Sequence, residues 1–231
     1  MTAATTGDRA KDEARSLLRK WFDYMAQRDG ARPDGSSFYP VNLDQIASKI
    51  LGWEVVTVPF VLAPGEDAIG RVDFPSRQIQ LPMDVGFEEQ KRFSLAHELG
   101  HIALHKAGPR VCYRTNPRSV RRLPHSHERQ LEREADRFGT ELLMPAKAVR
   151  EQFRLRFERE SMWSGCRLVS DALAENPKRR RFSRPDPPTV LQAAATLGSY
   201  CSRENSPTLA EYFGVSESAI SFRLVELRLV Y

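Results

Sequence analysis

The most constraining feature is one proline-free helical stretch, Phe87 to His105, stopped by Gly108-Pro109 and carrying His97-Glu98-Leu99-Gly100-His101. A spacing of four sets both imidazoles on one helix face about one turn apart, so two nitrogen donors can share one ion. Zinc accepts neutral imidazole at roughly 2.0 to 2.1 Å, and its catalytic sites generally keep three protein ligands and leave the fourth position to water. Glu98, next on the same helix, can face that water and move its proton. With this chain's own His and Glu frequencies, such a pattern arises by chance in about one chain in a hundred. The bland alternative is two histidines at helical spacing with a solvated Glu between them. The choice turns on a third ligand.

A third histidine in the pattern HExxHxxGxxH would need glycine and histidine where Leu104 and Ala107 stand. A carboxylate from a second helix remains. The stretch Glu128 to Met144, ended by Pro145, contains EREADRFGTELLMP, with Glu132 and Asp136 four residues apart on one face. Glu132 can complete the metal set while Asp136 accepts a hydrogen bond from the outer nitrogen of His97 or His101. Ala135 and Gly139 on the second helix, and Gly100 on the first, are small enough for close approach. Glu134 is the rival ligand, but it points about 200° around the helix from Glu132. His105 shares the face of His97 and His101 one turn further on; it reads as a helix-end histidine favoured by the dipole rather than a ligand. Tyr113, His125 and His127 are the donors near this helix pair that could stabilise an oxyanion, each with a plain loop role as its alternative.

Elsewhere the chain is ordinary. Cys112, Cys166 and Cys201 are odd in number and fit neither a disulfide framework nor a cysteine metal site, which suits a reducing compartment. There is no apolar signal core near the N-terminus and no run long enough to span a membrane, so a cytoplasmic protein is expected. The net charge of +5 and a pI near 9.3 allow nucleic acid or an acidic partner without requiring either. Ala14, Leu17, Leu18, Trp21, Phe22 and Met25 form one face of an amphipathic helix. Asn42 is placed to cap a short helix through Ile50, with Gly52 beyond it. Strands are expected at Trp53 to Phe60, and as a hairpin at Ile69 to Phe74 and Gln78 to Leu81. The segment Ala146 to Trp163 reads as helix, and Asn176 to Pro188, with four prolines and five cations, as linker. Pro207 to Val230 reads as helix, turn, helix, with Leu209, Ala210, Val215, Ile220, Leu224 and Leu227 inward and Gly214 at the turn. Ser216, Glu217, Ser218, Ser221, Arg223 and Glu226 are expected outward.

On the wording RFSLAHELGHIALH and EREADRFGTELLMP, and on the elements before them, the stretch from about Pro40 to Pro145 resembles the ImmA/IrrE family of zinc metallopeptidases. The resemblance implies an α+β, zincin-like core, a small twisted sheet packed on two active-site helices, with one Zn2+ on His97, His101 and Glu132 and with Glu98 as base. The expected division is an N-terminal helix and loop (1–38), the core (39–150), a helical extension and basic linker (151–188), and a helix-turn-helix-like module (189–231). Members of the family often act on helix-turn-helix repressors, which implies such a protein as substrate; DNA contact by the terminal module is the secondary expectation, because two carboxylates beside phosphates repel. The chain departs from the family pattern in its leading helix and in the longer basic insertion, and no sensor domain is expected after the terminal module. Two other functions stay open at this point: a DNA-binding regulator with a structural or sensory metal, motivated by Pro207 to Val230, and the toxin of a two-gene pair.

Overall fold

The computed structural model describes residues 6–29, 38–59, 68–83, 87–105, 112–115, 126–175, 189–200 and 206–231. The chain forms two compact units, Met1–Leu143 and Met144–Tyr231. The first takes in both the leading helix and the two motif helices.

The leading helix, α1 (Thr6–Asp29), buries Ala10, Ala14, Leu17, Leu18 and Trp21 along one stripe. Spacings of three and four residues put these side chains on a single face, and burying each leucine stabilises the unit by roughly 1.5–3 kcal/mol. Two arginines fasten it further. Arg15 Nε donates to the buried Glu141 carboxylate at 2.9 Å, and an Arg9 guanidinium N–H donates to the Leu104 carbonyl at 3.1 Å. The latter answers one of the orphan carbonyls at a helix C-terminus.

After α1 a short helix opens as one α turn, α2 (Leu43–Gln45), where Asn42 Oδ1 accepts from the Gln45 N–H at 3.0 Å, and continues as a π-helix over Ile46–Leu51. Gly52, at φ 71°, ends it in the left-handed conformation that suits glycine. Strands β1 (Glu54–Val58), β2 (Ala68–Asp73), β3 (Gln78–Pro82) and β4 (Cys112–Thr115) make one sheet in the order β1-β3-β2-β4. Strand β3 runs parallel to β1 and antiparallel to β2; β2 pairs antiparallel with β4 through an irregularity between Ala68 and Gly70. Strand β4 was expected as loop, because it lies in a stretch of Arg, Pro and Ser with no apolar alternation; pairing with β2 makes it a strand.

Helix α3 (Glu88–Leu104) and helix α4 (Ser126–Leu143) carry the two motifs and pack on each other, with α3 also against β2 and β3. The result is an α+β, zincin-like core with a small sheet laid on the motif helices. Among the described residues no helix is long and apolar enough to cross a membrane.

The second unit holds α5 (Ala146–Phe157), α6 (Arg167–Glu175), α7 (Val190–Gly198), α8 (Leu209–Phe213) and α9 (Glu217–Glu226). Helix α5 is shorter than expected. Glu158 turns left-handed at φ 52°, and the chain then exchanges helical bonds for three with the C-terminal segment: Met162 N–H to Leu229 O, Ser164 N–H to Tyr231 O, and Tyr231 N–H to Met162 O. Thr189 with Gln192, and Thr208 with Glu211, form reciprocal capping boxes that start α7 and α8. Gly214, at φ 61°, makes the turn to α9, and Leu209, Ala210, Val215, Ile220, Leu224 and Leu227 are buried as their spacing predicts. Ser221 and Arg223, expected outward, are buried instead. The Ser221 hydroxyl bonds back to the Glu217 carbonyl, and Arg223 Nε donates to the Met144 carbonyl at 3.0 Å while a second guanidinium nitrogen meets Glu226 at 2.7 Å. Met144 lies in the break between α4 and α5, where a carbonyl lacks a helical partner, and a buried cation on a long apolar stem meets that need. The linker 176–188 lies outside the described residues.

Candidate metal centre

Close packing of α3 on α4 is set by small residues. A Cβ added at Gly100 would lie 3.0 Å from the Ala135 Cα and 3.2 Å from the Phe138 ring; one added at Gly139 would lie 3.3 Å from the backbone at Ala96 and His97. Each helix therefore presents a glycine where the other's backbone passes, as Gly100, Ala135 and Gly139 led us to expect. This approach brings side chains that are far apart in sequence to one point.

At that point His97 Nε2 and His101 Nε2 are 3.0 Å apart, Glu132 Oε2 is 3.3 Å from His97 Nε2, and Glu132 Oε1 is 3.3 Å from His101 Nε2. All three residues are buried, and they make the one His/Cys/Asp/Glu group able to hold a metal among the described residues. A tetrahedron whose corners sit roughly 2.0 Å from its centre has edges of roughly 3.3 Å, so the spacing suits zinc's nitrogen and oxygen ligands. Burial pushes His101 below the ordinary imidazole value, with His97 adding to the effect and Glu132 opposing it. Burial alone would raise Glu132, but the two imidazoles set against it, His101 and His97, outweigh burial and hold the carboxylate at about 2. A neutral imidazole beside an ionised carboxylate is the donor set a divalent cation requires.

Asp136 Oδ1 lies 2.8 Å from His97 Nδ1. An ionised carboxylate only accepts, so Nδ1 carries the proton and a neutral His97 presents a bare Nε2 to the centre. Of the two histidines Asp136 could have served, it serves His97. Glu98 is fully buried, and β2 makes room for it: a Cβ on Gly70 would fall 2.4 Å from Glu98 Oε1. Glycine within a strand often marks such a close approach, and it stands here at the irregularity in the β2–β4 ladder.

Tyr113 lies on β4 opposite Arg71, His127 is exposed in the first turn of α4, and His125 is outside the described residues. His105 and Glu134, which spacing set aside as ligands, are joined to the centre indirectly. His101 Nδ1 is 3.0 Å from His105 Nδ1, His105 Nε2 is 3.1 Å from Glu134 Oε2, and Gln130 Nε2 donates to Glu134 Oε1 at 2.9 Å. Sequence reasoning passed over Gln130 and Gly70 and weighed Glu134 only as a rival ligand. The i, i+4 spacing of Gln130 and Glu134 was the one available signal.

No curated protein matches the chain. Residues 72–162, which hold both motif helices and the whole donor set, match the family model Peptidase_M78, the IrrE N-terminal-like domain. Over these residues the chain is similar to the IrrE N-terminal-like domain of the ImmA/IrrE peptidases.

Proposed function

We propose that the chain is a zinc-dependent endopeptidase of narrow specificity, holding one zinc ion on His97 Nε2, His101 Nε2 and Glu132, with Glu98 as general base and Asp136 orienting His97. The observation that carries the reading is the convergence of two imidazole nitrogens and a carboxylate from two helices at 3.0 to 3.3 Å, a spacing suited to one small divalent cation.

Bound zinc would supply Lewis acidity, polarising a substrate carbonyl and making water acidic. Glu98 takes the proton from the attacking water and delivers it to the leaving amine nitrogen, one carboxylate serving as base and then as acid. Full burial removes competing solvent from Glu98, and Gly70 leaves its carboxylate the room to lie beside β2. Asp136 keeps His97 in the tautomer that presents Nε2.

A protein substrate follows from the similarity to the peptidase family, and a helix-turn-helix repressor is the substrate that resemblance favours, in a cytoplasmic setting that suits the odd cysteine count. DNA reading by α8 and α9 has less support. Arg223, the cation that α9 was expected to offer, is buried, while Glu217 and Glu226 remain exposed or half-exposed to repel phosphate. The deciding experiment is incubation with the product of an adjacent repressor-like gene, with and without a chelator, using wild-type protein and Glu98→Gln. We expect cleavage by wild-type alone and normal zinc content in the variant; cleavage by Glu98→Gln, or in excess chelator, would overturn the reading.

A further inference from the structure

We propose that His105 and Glu134 are positioning residues for His101: together they form a relay that decides which nitrogen of His101 is bared toward the metal. The proposal rests on the zinc reading above and adds to it the means by which the second histidine is prepared.

The first histidine has Asp136. Among the described residues no carboxylate meets the outer nitrogen of His101; Nδ1 instead meets His105 Nδ1 at 3.0 Å. Contact between two imidazole nitrogens can run in either direction, so this pair alone leaves the tautomer of His101 open. Glu134 removes the ambiguity. Its carboxylate only accepts, so His105 Nε2, 3.1 Å from Glu134 Oε2, must carry a proton. A neutral His105 protonated at Nε2 has a bare Nδ1, which can only accept. His101 Nδ1 must therefore donate, and a neutral His101 that donates from Nδ1 presents a bare Nε2, the atom 3.3 Å from Glu132 Oε1 and 3.0 Å from His97 Nε2. Were the relay reversed, a hydrogen on His101 Nε2 would occupy the space the ion needs.

Each link is held. Gln130 on α4 donates to the second Glu134 oxygen at 2.9 Å, leaving the first for His105. The side chains of His105 and Glu134 are only 9% and 11% exposed, so water competes little for these bonds. The last turn of α3 is tied by the His105 N–H to His101 O bond at 3.0 Å and by Arg9 on the Leu104 carbonyl. Helix α4 thus reaches both histidines of α3 with a carboxylate, directly through Asp136 and through one intervening imidazole from Glu134. Outer partners of this kind are commonly worth 10–100-fold in metal affinity.

The test uses the full chain and titrates zinc against a chromophoric chelator in wild-type protein and in His105→Leu, His105→Gln, Glu134→Leu and His97→Ala, with the melting temperature of each measured free of metal. Nitrogen-15 NMR of the zinc-loaded protein reads the protonation of His101 Nδ1. We expect zinc affinity to fall by about 10- to 100-fold in His105→Leu and by about tenfold in Glu134→Leu, one link further out. His105→Gln, whose amide oxygen still accepts, should recover most of the loss. Wild-type protein should show a protonated, slowly exchanging His101 Nδ1 that becomes fast-exchanging in the leucine variants. If His105→Leu fails to fold, Glu134→Leu and the wild-type spectrum decide. Unchanged affinity in the leucine variants, or zinc held through His101 Nδ1, would overturn the relay. Zinc binding undiminished in His97→Ala would instead overturn the zinc reading on which the relay depends.

Discussion

On the proposed mechanism, replacing Gly70 with alanine separates the work of Glu98 from the binding of metal. Gly70 lies outside the left-handed region, so alanine brings no backbone strain, and its whole effect is one methyl group. That methyl would stand 2.4 Å from Glu98 Oε1 and 3.1 Å from Cδ and Cγ, where ordinary contact begins at 3.4 Å. Something must yield by roughly 1 Å, and strand β2, hydrogen-bonded on both sides to β3 and β4, is the stiffer party. The end of the Glu98 side chain moves. Overpacking commonly costs about 1–3 kcal/mol, and a movable carboxylate puts this case near the lower end. The effect on rate is larger, because a displacement of about 1 Å in a reacting group can cost about 100-fold, equivalent to ~2.7 kcal/mol of barrier. We therefore predict that Gly70→Ala binds zinc with wild-type affinity, melts within a few degrees of wild type, and cleaves its substrate about 100-fold more slowly in kcat. Peptide cleavage measured beside zinc content and thermal melting provides the comparison. A variant that keeps both zinc and full kcat would show that the base does not act from the position beside β2, and loss of zinc together with activity would show that the methyl acts through the metal.

Other outcomes can be stated more briefly. Asp136→Ala should weaken zinc binding by about 10- to 100-fold while leaving the metal-free protein folded, as read by chelator competition and circular dichroism. Gly100→Val should force α3 from the Ala135 backbone, destabilising the protein by about 1–3 kcal/mol or more in urea unfolding and weakening zinc with it, since both ligand pairs depend on that approach. Arg223→Ala should destabilise by roughly 2–5 kcal/mol, because it empties a buried volume and leaves the Met144 carbonyl without this donor; an unchanged urea midpoint would contradict the buried placement of Arg223. Zinc affinity should be full at neutral pH and fall with acid. Glu132, held at about 2, stays ionised over that range, so the loss comes from protonation of the histidines, and because burial holds His101 below the ordinary imidazole value its share begins below about pH 6.5.

What the sequence disclosed and what it withheld follow from one distinction. His97, His101, Glu132 and Asp136 were legible because each pair lies on a single helix, where a spacing of four fixes direction, and because Gly100, Ala135 and Gly139 announced that the two helices meet. A helical period describes one element at a time. Glu134 was set aside for pointing about 200° from Glu132, which is true of α4 alone; its value comes from where the last turn of α3 places His105, a fact about two helices and their crossing. Gly70 is the same case across a helix and a sheet, since nothing in AIGRVD says that a carboxylate of α3 will lie against it. Strand β4 has no apolar alternation and exists by pairing with β2, and Arg223 looks solvent-facing until the unpaired carbonyl of Met144 claims it. The proposed ligands and Asp136 are thus written in local spacing, whereas His105, Glu134 and Gly70 take their places at the centre from contacts between elements. On the proposed reading the orienting residues are not incidental: without Asp136 and the His105–Glu134 pair, two neutral histidines could each place a hydrogen where the ion would lie, and the spacing that made them recognisable would not by itself make them ligands.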